Sequence, residues 1–94
     1  MKQQKILLTG VAGFIGYHVG RRILNENPNI QIIGIDNLNP YYAVELKQAR
    51  LRELQALPQA GNTENFQFFQ IDLADGAAVA NLFEQEKFDS VIHL

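Results

Sequence analysis

At 94 residues, with 47% apolar and 19% charged side chains, the chain has the size and composition of one small globular domain or a piece of a larger one. A formal net charge of −2 offers no basic footprint for nucleic acid or an anionic membrane, and neither partner is expected. Without cysteine there is no disulfide framework or thiolate metal site, and His18 and His93 stand too far apart to suggest a metal.

Residues 5–9 (KILLT) read as a short, almost wholly apolar strand, the pattern of a parallel sheet covered on both faces. Lys2 and Lys5 followed by Ile6 to Leu8 imitate the start of a signal peptide, but the apolar run breaks at Thr9-Gly10. No stretch approaches the roughly 18 apolar residues of a membrane span, so a cytoplasmic protein is expected. Residues 14–26 read as a helix with Ile15, Val19 and Ile23 on its inner face. Asn27-Pro28-Asn29 ends it, because proline cannot continue a helix and restricts the residue before it. Residues 30–36 (IQIIGID) form a second strand. A loop through Tyr42 leads to a helix over 43–57, with Ala43, Leu46, Leu54 and Leu57 on one face. Lys47 and Arg50 lie close to that face and read as snorkelling stems at its edge rather than as substrate contacts. After the polar loop 58–64 (PQAGNTE) come a strand at 66–71 and a helix over 77–86, N-capped by Asp75, with Val79, Leu82 and Phe83 inward. A fourth strand covers 90–94. This β-α-β-α-β-α-β order implies an α/β fold with a parallel sheet. The chain stops in its last strand and is expected to be the N-terminal part of a longer protein.

Between the first strand and first helix stands TGVAGFIG, with Gly10, Gly13 and Gly16 in G-x-x-G-x-x-G spacing and Gly20 one turn on. A strand-to-helix junction is the setting a phosphate-binding turn requires. Gly10 permits the tight turn, Gly13 lets backbone approach a pyrophosphate, and Gly16 and Gly20 let the helix pack close to the sheet. The helix-start N–H groups around Phe14 and Ile15 would face the phosphates. A plain tight turn would also use glycines, but a mid-helix glycine costs about 1 kcal/mol relative to alanine and needs a reason. Asp36, twenty residues beyond Gly16, ends the second strand. A carboxylate there can accept from both ribose hydroxyls of an adenosine and would repel a 2′-phosphate, favouring NAD over NADP. Its plainer alternatives are a solvated strand end or a turn former before Asn37.

TGVAGFIG resembles the extended short-chain dehydrogenase/reductase superfamily, and more narrowly the NAD-dependent epimerase/dehydratase family acting on nucleotide sugars. GIDNLNPYY at 34–42, LKQARL at 46–51, FFQIDLAD at 68–75 and FDSVIHL at 88–94 agree. DNLNPYY followed by LKQARL is most similar to UDP-glucuronate 4-epimerases. The resemblance covers essentially the whole chain. It implies a Rossmann-type doubly wound sheet of strand order 3-2-1-4, bound NAD and a UDP-sugar substrate. For the full-length protein it implies a homodimer.

The resemblance also implies roles for particular positions. The Phe14 and Ile15 amides would hold the pyrophosphate, Asp36 the ribose, and Asn37 and Asn39 the same adenosine edge. Asp72 and the Leu73 backbone would meet adenine, and Leu94 would begin the segment beneath the cofactor. Asp72 and the Asn39-Pro40 pair are also natural turn residues, and His93 reads as a packed strand residue with nothing nearby to partner it. The family's Tyr-x-x-x-Lys pair is absent: Tyr17 is followed by Arg21, Tyr41 by Glu45 and Tyr42 by Leu46. These residues therefore supply no catalytic group, and alone are expected to be inactive. A nucleotide-sugar 4,6-dehydratase or reductase, or a non-catalytic dinucleotide-binding module, are the alternatives.

Overall fold

The computed structural model describes residues 4–26, 29–38, 44–57 and 65–94. Strands β1 (Gln4–Thr9), β2 (Ile30–Asp36), β3 (Phe66–Gln70) and β4 (Ser90–Ile92) form a wholly parallel sheet in the order β3-β2-β1-β4. Helices α1 (Phe14–Glu26), α2 (Val44–Ala56) and α3 (Gly76–Gln85) connect them. The α/β class and strand order 3-2-1-4 are as expected from the sequence. No helix among the described residues is long and apolar enough to cross a membrane.

The period of two along the strands divides the core. Leu8 and Ile32 point to the face carrying α1 and α2, where they meet Val11, Tyr17, Leu24, Leu51 and Leu54. Leu7, Ile33 and Ile35 point to the other face and meet Leu82 of α3. Both faces of β1 and β2 are thus covered at mid-strand, which is why Ile6–Leu8 and Ile32–Ile35 carry no polar side chain. Phe69 and Val91, paired in register beside Ile35 and Leu7, remain exposed at the margins of the α3 face.

The helix faces differ from the expected ones. In α1 the buried residues are Gly16, Tyr17, Gly20 and Leu24, while Ile15 is exposed and Val19 and Ile23 pack only at the margin. The glycines are the cause: a Cβ on Gly20 would stand 3.2 Å from Leu8 Cδ2, so the helix lies against the sheet on its side-chain-free stripe. In α2 the burial falls on Leu51 and Leu54, with Leu46 exposed. In α3 Leu82 alone is buried, and Phe83 is exposed, packing edge-on against Phe88. Asp75 caps α3 as expected, its carboxylate accepting from Ala78 N–H. β4 ends at Ile92, two residues earlier than expected, and beyond it Leu94 N–H donates to the Thr9 hydroxyl. Ala43, the Asn27-Pro28 helix stop and loop 58–64 lie outside the described residues.

Candidate functional site

The strands' C-terminal ends meet where the chain order reverses, between β1 and β4, the position at which open α/β sheets take ligands. β1 runs into Gly10, whose φ of +64° is open to glycine and strained for other residues. Gly13 N–H donates to the Gly10 carbonyl at 3.0 Å, and Tyr17 N–H donates to the Gly13 carbonyl at 2.8 Å, opening the helical ladder. The N–H groups of Phe14, Ile15 and Gly16 precede that ladder, at the positive end of the helix. The Phe14 and Ile15 side chains point outward, leaving only their backbone for the turn. Gly16 serves the turn rather than the sheet: a Cβ there would collide with the Gly10 carbonyl. Val11 N–H donates to the Ile35 carbonyl at 3.2 Å and fastens the turn to β2. Gly34 is a residue the motif reading missed. A Cβ on it would come within 2.8 Å of the Val11 side chain, and its one visible signal was a glycine interrupting IQIIGID.

Asp36 is buried, not a solvated strand end. Its Oδ2 accepts from Ala12 N–H at 3.1 Å, inside the glycine turn, and its Oδ1 accepts from Leu38 N–H at 2.8 Å. Leu38 takes a φ of 54°, rare for a non-glycine residue, and packs at the margin of the core. The carboxylate is therefore fixed against the turn while closing one of its own. A carboxylate has about four lone-pair sites, so two remain for a ligand.

A cleft of about 270 Å³ opens at this end of the sheet. Gly10, Asp36, Asn37, Asp72, Leu73 and Leu94 line it, all singled out from the sequence, together with Ile35 and Ile71. Gly13, Phe14, Ile15 and Gly16 sit in the adjoining turn, and Asn39 lies outside the described residues. Asp72 serves a turn as well: its Oδ1 accepts from Ala74 N–H at 2.9 Å. Leu94 is held beside Gly10 because its N–H donates to the Thr9 hydroxyl at 2.9 Å. His93 does have a partner, contrary to expectation, since its Nδ1 stands 3.1 Å from that same hydroxyl. Thr9 is buried, and its two contacts tie the ends of β1 and β4 together.

Lys47 and Arg50 are more than snorkelling stems. Lys47 Nζ stands 3.9 Å from Asp36 Oδ1, with only 12% and 7% of the two side chains exposed. Arg50 Nη1 donates to the Ala12 carbonyl at 3.1 Å, and its guanidinium lies over the Phe14 ring. From α2, Arg50 thus reaches the glycine turn and Lys47 the carboxylate that holds it, and their i, i+3 spacing was the one available hint. Farther along, the Tyr17 hydroxyl donates to Glu53 Oε2 across α1 and α2. That hydrogen bond, then burial, holds the Tyr17 pKa above its usual 10.0.

A family model described as GDP-mannose 4,6 dehydratase matches residues 7–94. UDP-glucuronate 4-epimerase of Thermodesulfobacterium geofontis is 46% identical over 88 residues, covering 94% of this chain and 25% of that protein. Human dTDP-D-glucose 4,6-dehydratase is 37% identical over 90 residues, covering 96% of this chain and 23% of that one. Among solved structures, UDP-glucuronic acid 4-epimerase from Bacillus cereus in complex with UDP-glucuronic acid and NAD superposes with a TM-score of 0.74 at 31% identity. That likeness covers 97% of this chain and 26% of that one. The chain spans about a quarter of the length of the relatives it matches.

Proposed function

Since the chain belongs to the GDP-mannose 4,6 dehydratase family, we propose that it is the NAD-binding N-terminal portion of a nucleotide-sugar 4-epimerase of the UDP-glucuronate or UDP-glucose type. The observation that carries the cofactor reading is Asp36, fixed by the Ala12 amide at the rim of a cleft that the glycine turn also lines. The residues fit an adenosine diphosphate. The turn leaves no room for a Cβ on Gly16, the helix-start amides supply donors for a pyrophosphate, and the buried carboxylate keeps lone pairs for ribose hydroxyls. Asn37, Asp72, Leu73 and Leu94 line the same cleft; on this reading Asn37 would meet the adenosine edge, Asp72 and Leu73 the adenine, and Leu94 would lie beneath the cofactor. When bound, NAD would take hydride from C4 of the sugar and return it to the opposite face. This chain's own part is to bind and orient: these residues hold no Tyr-x-x-x-Lys pair, so the base that takes the 4-hydroxyl proton is not among them.

The epimerase reading rests on the 46% identity to the Thermodesulfobacterium enzyme. A 4,6-dehydratase is the second reading, favoured by the family model's description and the human relative. The test supplies the complete gene product with UDP-glucuronate and UDP-glucose separately, and follows the sugar by NMR. The galacto epimer of either is expected. A 4-keto-6-deoxy product from a sugar nucleotide would replace this reading with the dehydratase one, and no product despite bound NAD would refute the substrate assignment. Asp36→Ala should weaken NAD binding by about tenfold or more, the value of a lost charge-assisted hydrogen bond, and relax discrimination against NADP. Unchanged affinity for both cofactors would refute the ribose role.

A further inference from the structure

The reading of Asp36 as a group that repels a 2′-phosphate treats the carboxylate as an isolated negative charge. The structure does not leave it isolated. Lys47 approaches Asp36 from the first turn of α2, and both side chains are nearly buried, so the pair is weakly screened compared with a surface ion pair. The 3.9 Å separation is longer than a hydrogen bond, so Lys47 compensates the charge of Oδ1 without donating a hydrogen bond to it. The oxygens' geometry is set instead by the Ala12 and Leu38 amides. Arg50, the next cation on this side of α2, is committed to the Ala12 carbonyl. Orientation of the carboxylate and compensation of its charge are thus done by different groups.

We propose that Lys47 is a specificity-determining residue for the ribose 2′ position, where an Asp36–Lys47 pair rather than a lone carboxylate faces the cofactor. The proposal rests on the reading of this cleft as an adenosine site. It alters what that site selects: the 2′-hydroxyl is still recognised through the open lone pairs of Asp36, but rejection of a 2′-phosphate is tempered by the neighbouring ammonium. Removing the ammonium should sharpen the preference for NAD, and removing the carboxylate should weaken it. A lysine that served only stability would change both affinities alike.

The experiment measures Kd for NAD and for NADP by calorimetry on the complete gene product, as wild type, K47M, K47Q, K47R and D36N. Both affinities are read on one preparation of each variant, so a partial loss of folded protein cancels in their ratio. Kd(NADP)/Kd(NAD) is expected to rise about tenfold in K47M and K47Q, the size of one charge–charge contribution in a partly buried site. It should return to within about threefold of wild type in K47R, and fall below wild type in D36N. The rise should shrink at high salt. NAD binding with an unchanged ratio in both neutral variants would overturn this inference and leave the adenosine reading standing. Absence of NAD binding by the wild type would overturn both.

Discussion

Gly16→Ala puts the steric account of the glycine turn at risk, because two opposing effects of known size act at one position. Propensity favours alanine over glycine in a helix by about 1 kcal/mol. Space opposes it. The added Cβ would overlap the Gly10 carbonyl oxygen and stand 2.8 Å from Gly10 C and 3.1 Å from Val11 Cα. All are backbone atoms, so no side-chain rotation relieves the overlap. Overpacking costs about 1–3 kcal/mol, leaving a net loss of up to about 2 kcal/mol after the propensity gain. Relief requires the Gly10 carbonyl to move, which breaks its 3.0 Å bond from Gly13 N–H and turns the helix-start amides away from a pyrophosphate. NAD affinity should then fall by about tenfold or more. Gly76→Ala is the internal control. Gly76 opens α3 with nothing within 4 Å of an added Cβ, so propensity acts alone there. Urea unfolding followed by circular dichroism, with calorimetric titration of NAD, reads both effects on the complete gene product. A Gly16→Ala protein with a raised urea midpoint and wild-type NAD affinity would refute the reasoning.

Two further substitutions test the packing around the site. Tyr17 keeps its proton more firmly in the folded state, because its hydroxyl donates to Glu53. Stability from that shift is fully present below the unfolded pKa of about 10 and is lost as pH rises through the raised folded value. Tyr17→Phe should therefore flatten the fall of the urea midpoint above pH 10, and an unaltered alkaline slope would show the bond to be absent in solution. Asp75→Ala removes the 3.1 Å cap bond to Ala78 N–H and should cost about 1 kcal/mol, while Asp75→Asn keeps most of it. Equal midpoints for the alanine and asparagine variants would count against the cap.

The elements legible in the sequence were those with local punctuation. α1 begins where a glycine turn ends, and β2 ends at an aspartate before a turn, so both match their expected bounds. Burial within the helices was less legible for a definite reason. Periodicity counts apolar side chains, whereas α1 is seated against the turn by the side chain that Gly16 lacks and against the sheet by the one that Gly20 lacks. The stripe Ile15-Val19-Ile23 was visible but lies beside the contact. Asp72 could be read as a turn former or as a site residue, and the structure uses it as a turn former at the cleft wall. Lys47 and Arg50 could not be placed from spacing alone, because their partners lie 11 and 38 residues away on other elements.

Ala12 shows why part of the site leaves no trace in composition. It is fully buried within the turn, and Asp36 takes its N–H while Arg50 takes its carbonyl. One residue is thus gripped from β2 and from α2 through main-chain groups that every non-proline residue possesses. Val11 beside it donates to β2, and Thr9 before it anchors Leu94, so residues 9–12 gather contacts from β2, α2 and the end of β4. The glycines announce the turn because they are chemically unusual. The residues between them hold it in place with backbone, and backbone has no signature in a sequence. What distinguishes this turn from an ordinary tight βα connection is therefore the charged side chains that converge on position 12.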